Sequence, residues 1–253
     1  MRVRFEVCVD GVDGVLAAGA AGAHRVELCA GLSEGGLTPS AGAVAAAVGA
    51  GAVDVNVLIR PRGGDFIYDR HEVRAMRHDV EAVAAAGAHG VVVGALTADG
   101  DVDAAVCREV LAGAGGLSVT FHRAFDMARR PHDALAAVVD LGCQRLLTSG
   151  QEATALEGAP LIAELVAAGG DHLVVMPGGG VTAGNVRRLV ELTGAREVHF
   201  TARTTVDSPA RYRNPRVVMG SRVGVEEYAR RRTSRAAIEA LIAAAGSGQL
   251  SGP

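Results

Sequence analysis

Apolar runs of strand length recur along the chain, and the segments between them carry apolar residues at helical spacing. The runs are rich in β-branched residues, which is typical of buried strands. Strands that alternate with helices predict a parallel sheet, and a length of 253 residues suits closure of that sheet into a (β/α)8 TIM barrel. The eight predicted strands are Phe5–Val9, Val26–Cys29, Val53–Ile59, Val91–Leu96, Leu117–Phe121, Arg145–Thr148, Leu173–Met176 and Glu197–Thr201.

Local signals mark where helices begin. Thr38 before Pro39 predicts a helix with a capping hydroxyl and proline in its first turn. Asp69, with Glu72 three residues later, predicts a capping box that opens a helix running through Ala86.

A short unit precedes every second strand. Each copy has a glycine that can end a helix in the left-handed conformation, then a small residue, then the next strand. A unit with this spacing favours a barrel with alternating interior layers, although chance in an Ala- and Gly-rich chain would also produce it. The copies are Gly22–Val26, Gly87–Val91, Gly142–Leu146 and Gly194–Val198.

Alternation along the strands separates the two faces of the sheet. Glu6 and Glu27 lie on faces opposite to their valine neighbours, and Arg60 shares a face with Asn56. Charged side chains inside a barrel are costly unless they are paired, so we expect Glu6, Glu27 and Arg60 to form an ionic core. Scaffold and site roles are both open for the two glutamates.

Composition narrows the function classes. All 25 cationic side chains counted as Lys or Arg are arginine, which excludes Schiff-base chemistry, pyridoxal-phosphate attachment and a Walker lysine. No nucleotide cofactor motif is found. The net charge of −3 and the 3% aromatic content argue against nucleic acid as a partner. No apolar window is long enough to cross a membrane, and the N-terminus does not resemble a signal peptide. Four dispersed cysteines without a CxxC motif predict a reduced, cytoplasmic chain.

The segment Val53–Asp65 ends a buried strand in two arginines and two glycines, Arg60, Arg62, Gly63 and Gly64. Guanidinium groups match a carboxylate or phosphate, and glycine lets the backbone approach it. This pattern predicts an anion site at the strand end. The alternative is a surface turn whose arginines pair with nearby carboxylates.

Further candidates for the same anion follow later strands. Gly178, Gly179 and Gly180 come after strand seven and before a helix, where free amides suit an anion. Ser149 follows strand six and offers a hydroxyl. Arg203 begins a long segment, Arg203–Arg222, that could lie across the barrel mouth or serve as an ordinary loop or a subunit contact in a homo-oligomer.

Proton chemistry is assigned to His122, near the end of strand five, because active sites of this fold lie at the carboxyl ends of strands. His122 is the candidate general acid/base, with Glu27 and Asp126 as the accompanying carboxylates. The other histidines of helices and loops are expected to be solvated: His24, His71, His78, His89, His132 and His172.

Several long motifs in order resemble the CutC family of copper homeostasis proteins. The resemblance extends from about Glu6 to Gly220 and implies a TIM barrel and a cytosolic protein associated with copper tolerance or copper binding, with no settled reaction. It implies Cys8 and Cys29 as copper ligands. The tail Gly246–Pro253 departs from the family and is expected to be disordered, which leaves a single domain over residues 1–245. The motifs are Glu6–Gly11, Arg25–Ser40, Ile59–Tyr68, Thr120–Met127, Leu147–Gly150 and Met176–Val181.

The chemistry of the two cysteines is compatible with copper. Cu(I) prefers soft thiolates, and Cys8 and Cys29 lie on neighbouring predicted strands, each as the last residue of a Glu-x-Cys motif. A Cu(I) site requires their sulfurs to lie within about 4 Å of each other or to come within reach by a change of rotamer. Inert packing is the alternative, and it is the role expected of Cys107 and Cys143. Two functions therefore stand: copper binding through the two thiols, or an enzyme acting on a phosphate- or carboxylate-bearing small molecule at the barrel mouth.

Overall fold

Eight parallel strands curve into a barrel in the computed structural model, which describes residues 3–217, 219 and 227–246. Hydrogen-bonded neighbours run in the order β8, β1, β2 and so on to β7, and β7 and β8 lie side by side at the seam without a regular ladder. The predicted (β/α)8 fold is confirmed as a nearly closed barrel. The strands are β1 (Arg4–Val9), β2 (Arg25–Leu28), β3 (Asp54–Leu58), β4 (Gly90–Val93), β5 (Ser118–Phe121), β6 (Arg145–Thr148), β7 (Val174–Pro177) and β8 (Glu197–Phe200).

The described residues also form eight helices, whose apolar faces cover the outside of the barrel. Asp69 and Glu72 form the predicted capping box. The prediction for Thr38 was wrong: Ser40 caps the second helix, and the Thr38 hydroxyl instead accepts a hydrogen bond from the Arg60 amide. The helices are α1 (Val12–Ala20), α2 (Ala41–Gly49), α3 (Arg70–Ala85), α4 (Ala104–Leu111), α5 (Pro131–Asp140), α6 (Ala159–Gly169), α7 (Val186–Thr193) and α8 (Arg235–Gly246).

An antiparallel hairpin follows the barrel strands. It pairs β9 (Arg203–Asp207) with β10 (Ala229–Thr233). The long segment predicted after strand eight is therefore partly a strand, while positions 218 and 220–226 within it lie outside the described residues. Of the predicted tail, Gly246 is the last residue of α8, and 247–253 lie outside the described residues.

The barrel strands present opposite faces to two separate layers. Val7, Val26 and Val57 are fully buried in the large core between the strands and the helices, as predicted. The inward face carries the polar residues Glu6, Glu27 and Asn56, together with a small apolar cluster made by Cys8, Cys29, Leu58 and Val92. The polar and apolar residues therefore occupy successive levels along the same strands of the barrel interior.

Arg25 occupies the centre of the ionic core, where the sequence had suggested Arg60. Its guanidinium donates to Glu6 through Nε and to the Glu197 carboxylate through Nη2 at 2.6 Å. Arg145 reaches the same Glu197 carboxylate at 2.8 Å. The pairing of Arg60 with Glu6 was wrong because Arg25 stands beside Glu6 in the strand register, whereas Arg60 leaves the far end of β3.

No helix among the described residues is long and apolar enough to cross a membrane.

Candidate functional site

A cavity of about 480 Å³ opens at the carboxyl ends of the barrel strands. This is the end of the fold at which TIM barrels bind their ligands, and the volume lies in the range of small-molecule sites. One group of lining side chains offers sulfur, carboxylate and imidazole: Cys8, Glu27, His122 and His199. A second group offers cationic guanidinium groups: Arg60, Arg123, Arg203 and Arg231.

The two cysteines predicted as a pair lie together in the wall of this end of the barrel. Cys8 belongs to β1, and Cys29 directly follows β2, held there by a backbone hydrogen bond to Val9 at 2.9 Å. Their sulfurs are 3.8 Å apart and both residues are buried, so the distance required of a thiol pair is met. A Glu27 carboxylate oxygen completes a set of three donor atoms that lie within 4.8 Å of one another.

The two thiols differ in acidity. A hydrogen bond from Cys29 lowers the pKa of the Cys8 thiol to about 5, against the opposing effect of burial, and contact with His199 adds to the lowering. The same hydrogen bond, together with burial, raises the pKa of Cys29 well above its ordinary value. The hydrogen bond between the two sulfurs therefore favours ionisation of one thiol of the pair.

Glu27 and His199 form the polar side of the same set. Burial raises the pKa of Glu27 to about 8, against the charge of His199, whose Nε2 lies 3.6 Å from the Glu27 carboxylate. Burial disfavours the charged imidazole, yet contacts with Cys8, Glu6 and Glu27 raise the pKa of His199 well above its ordinary value. Its Nδ1 lies 2.8 Å from Glu6, which connects the thiols to the ionic core.

His122 lies where the sequence placed it, at the mouth and directly after β5. Burial and the charge of Arg60 lower the pKa of His122 to about 3, so the ring is neutral near pH 7. Its Nδ1 accepts a hydrogen bond from the Ala124 amide at 3.1 Å, which leaves the ring proton on Nε2. This Nε2 is buried without a partner in the described residues. These properties favour a fixed hydrogen-bond donor over the predicted general acid/base.

Arg60 also lines the cavity, as predicted, but it is held by the backbone. Its guanidinium donates to the carbonyl oxygens of Glu34 at 2.8 Å, Gly36 at 3.1 Å and Gly64 at 2.8 Å, and it lies over the Phe66 ring. It has no ion pair within the described residues, and its buried Nε has no acceptor there. Arg60 therefore carries a positive charge to the mouth without a carboxylate to balance it.

Three other predicted site residues hold loops together and do not line the cavity. Arg62 pairs with Glu72 at 2.6 Å and with Asp65 at 3.0 Å, and it does not line the cavity. Arg62 therefore belongs to a surface turn that pairs with nearby carboxylates, which was the alternative interpretation of this segment. Asp126 accepts hydrogen bonds from the Thr148 hydroxyl at 2.5 Å and the Ser149 amide at 3.0 Å. Asp126 and Ser149 therefore fix the loop after β6 and do not line the cavity.

Asp126 and Ser149 nevertheless act on the mouth through Arg123. The Arg123 guanidinium donates to Asp126 at 2.7 Å and to the Ser149 hydroxyl at 2.8 Å, and the side chain lines the cavity. Sequence reasoning missed Arg123. The sequence did contain a signal for it, because Arg123 directly follows His122, which was already predicted to lie at the carboxyl end of strand five.

The glycine loop after β7 takes the predicted place at the mouth. Gly179 and Gly180 line the cavity, whereas Gly178 lies beneath them against Leu147 and His199. A Cβ on Gly178 would lie 2.5 Å from the end of the Leu147 side chain, so a larger residue there would require Leu147 to move. Arg203 lines the cavity as well and pairs with Asp10 at 2.8 Å.

Comparison with known proteins agrees with this architecture. The sequence profile of the CutC family matches residues 3–204, a span that includes the eight barrel strands. The chain belongs to the CutC family. A CutC family protein of Chromobacterium violaceum is 51% identical over 237 residues, covering 94% of this chain and 96% of the relative. The human copper homeostasis protein cutC homolog is 45% identical over 241 residues, covering 95% of this chain and 88% of the relative.

A solved CutC structure shares the fold. The crystal structure of a Streptococcus agalactiae protein designated CutC superposes with a TM-score of 0.74 at 31% identity, covering 78% of this chain and 98% of the other. The CutC match contains Cys8, Glu27, Cys29 and His199, and it ends within β9. The thiol site thus lies wholly within the family region.

Proposed function

We propose that this chain binds Cu(I) as cargo in copper homeostasis, through the sulfurs of Cys8 and Cys29 with Glu27 as a third donor. The observation that carries the proposal is the pair of buried thiols at 3.8 Å, in which the hydrogen bond between the sulfurs lowers the pKa of Cys8. Thiolates are the ligands that Cu(I) prefers. Copper homeostasis in the name of the human relative supports the same function.

The spacing of the sulfurs favours a three-donor site. Two metal–thiolate bonds of about 2.3 Å placed in a line would hold the sulfurs about 4.6 Å apart. The observed 3.8 Å is shorter, so an ion between them would have a bent arrangement with room for another donor. The Glu27 carboxylate lies within the same group of donor atoms, which fits that arrangement.

The surroundings of the sulfurs also suit Cu(I). Leu58 and Val92 pack with Cys8 and Cys29 in a small apolar cluster inside the barrel, and Leu32 packs against them. Such a shell limits the access of water to a bound ion. All four cysteines are free thiols, the form that a reducing compartment maintains, and we place this function in the cytoplasm.

Competition with a coloured Cu(I) chelator under anaerobic, reducing conditions tests the proposal. We expect one tight site per chain, and a loss of at least about 100-fold in affinity in Cys8→Ser and in Cys29→Ser, since a lost ligand costs more than a lost supporting contact. Glu27→Gln should weaken binding by about 10-fold, because the amide is a poorer donor than the carboxylate.

Cys107→Ser is the matched control, since it removes one buried thiol elsewhere in the chain. Burial raises the pKa of Cys107 to about 12, so this thiol is not poised to bind metal. Equal Cu(I) affinity in the parent, Cys8→Ser and Cys29→Ser would reduce the pair to packing and reject the proposed function.

A further inference from the structure

We propose that the barrel mouth binds a phosphorylated small molecule, with the phosphate held by Arg123, Arg203 and the Gly179–Val181 loop, and with the body of the ligand reaching His122. This site is separate from the copper proposal in both ligand and residues. It shares the cavity with Cys8 and Glu27 but uses none of the donor atoms of the copper site.

The charge of the cavity points to an anion. Four arginines line it, and Glu27 is the one carboxylate among the lining residues of the described structure. Asp126 and Asp10 pair with Arg123 and Arg203 from outside the lining, which leaves Arg60 and Arg231 without an ion pair in the described residues. Arg60 supplies a charge that no carboxylate in the described residues neutralises, although it is almost fully buried. Holding a buried cation without a counter-ion is costly, and an anionic ligand at the mouth would remove that cost.

Donor groups converge at the glycine loop. The amides of Gly179, Gly180 and Val181 donate to no acceptor among the described residues, and all three residues line the cavity. Arg123 lies directly against this loop: a Cβ built on Gly179 would be 3.4 Å from the guanidinium carbon of Arg123. The buried Nε of Arg203 also lacks a partner there. Successive backbone amides beside guanidinium groups form a concave binding place for an oxyanion.

Phosphate fits this donor set better than carboxylate. A phosphate monoester offers three peripheral oxygens, whereas a carboxylate offers two. Three amides and two guanidinium groups exceed what a carboxylate can accept with good geometry. The loop after β7 is also where TIM barrels often bind phosphate.

His122 indicates that the ligand extends beyond its phosphate. The residue is almost fully buried at the mouth, and its Nε2 has no partner in the described residues. An unpaired buried donor is expensive unless a ligand satisfies it. Because the ring is fixed by the Ala124 amide, this donor has a defined direction and suits a hydroxyl or carbonyl oxygen on the body of the ligand.

Isothermal titration at constant ionic strength tests the site with three probes: sn-glycerol 3-phosphate, inorganic phosphate and succinate. We expect saturable binding of both phosphates and at least ~10-fold weaker binding of succinate. Arg123→Gln and Arg203→Gln should each weaken both phosphates by roughly 10- to 100-fold, since a charge-assisted hydrogen bond is lost. His122→Gln should weaken glycerol phosphate but leave inorganic phosphate unchanged.

Arg187→Gln is the matched control, because it removes one surface arginine on α7 and should bind both phosphates as the parent does. A Cu(I) affinity and a circular dichroism spectrum that both match those of the parent would confirm that each arginine variant is folded. Absence of saturable phosphate binding up to about 10 mM, unchanged binding in both mouth variants, or tighter binding of succinate would overturn the proposal.

Discussion

At the scale of single residues, position in the barrel decides what each side chain does. Arg60 and Arg62 are two residues apart, yet one lines the cavity and the other forms surface ion pairs. Cys8 and Cys29 could be paired from the sequence because the same Glu-x-Cys pattern occurs on two adjacent strands, which brings the two sulfurs side by side. The pairing of Arg60 with Glu6 failed, since alternation gives the face of a strand residue but not its depth along the barrel.

Glu27 should make the stability of the metal-free protein depend on pH. Its pKa is raised in the folded state to about 8, against an ordinary value of 4.5, so the folded protein retains a proton that the unfolded chain releases. Stability is therefore lost as the pH rises from about 4.5 through about 8. Glu27→Gln removes this cost, and its melting temperature should match the parent at pH 5 and exceed it by at least about 3 °C at pH 9.

Differential scanning calorimetry of metal-free protein at the two pH values measures this difference. Glu191→Gln on the surface of α7 should follow the parent at both. A constant offset between Glu27→Gln and the parent would mean that the folded protein does not retain the Glu27 proton between pH 5 and pH 9, and would contradict the raised pKa.

At the scale of elements, the repeated unit before the even-numbered strands has a structural cause. His24, His89 and Gln144 each accept a hydrogen bond through the side chain from the second residue of the preceding odd-numbered strand, at 3.1, 3.0 and 2.6 Å. The backbone amide of each residue donates back to the same strand residue. The unit therefore joins consecutive strands at the amino end of the barrel. Its glycines have positive φ, as predicted: Gly22, Gly87, Gly142 and Gly194.

The sequence predicted the barrel strands because their apolar runs are continuous. It did not predict the bonds of His24 and His89, which were expected to be solvated, because a side chain that accepts from the backbone leaves no periodic signal. The β9–β10 hairpin was missed for a related reason. Its strands are largely exposed and polar, so no alternation separates them from a loop.

His89→Ala should lower the free energy of unfolding by about 1 kcal/mol, because the Val55 amide loses its acceptor. His89→Gln should retain most of the stability, since glutamine makes the equivalent bond at position 144. Urea unfolding measures both, with His71→Ala on the exposed start of α3 as a control expected to change stability by less than about 0.5 kcal/mol. Equal losses in His89→Ala and His89→Gln would show that the imidazole acts by packing.

At the scale of the whole molecule, the ionic core connects strands on both sides of the barrel seam. Glu197 in β8 accepts from Arg25 in β2 and from Arg145 in β6, while Arg25 also reaches Glu6 in β1. The seam between β7 and β8 has no regular ladder, so side chains supply connections that backbone bonds do not. The same layer supports the site, because Glu6 holds His199 beside the thiols.

Glu197→Ala should therefore be severely destabilising, by roughly 3–5 kcal/mol, because it leaves two arginines near the barrel axis without their shared counter-ion. Glu191→Ala removes a glutamate from an exposed ion pair on α7 and should cost less than about 0.5 kcal/mol. Urea unfolding of the two variants compares a buried carboxylate with a surface one. If the ionic core closes the barrel, amide hydrogen exchange in Glu197→Ala should accelerate first in β7 and β8, ahead of β3 and β4. Equal acceleration of amide exchange in all eight barrel strands would show that Glu197 balances the arginine charges but does not stabilise the β7–β8 seam.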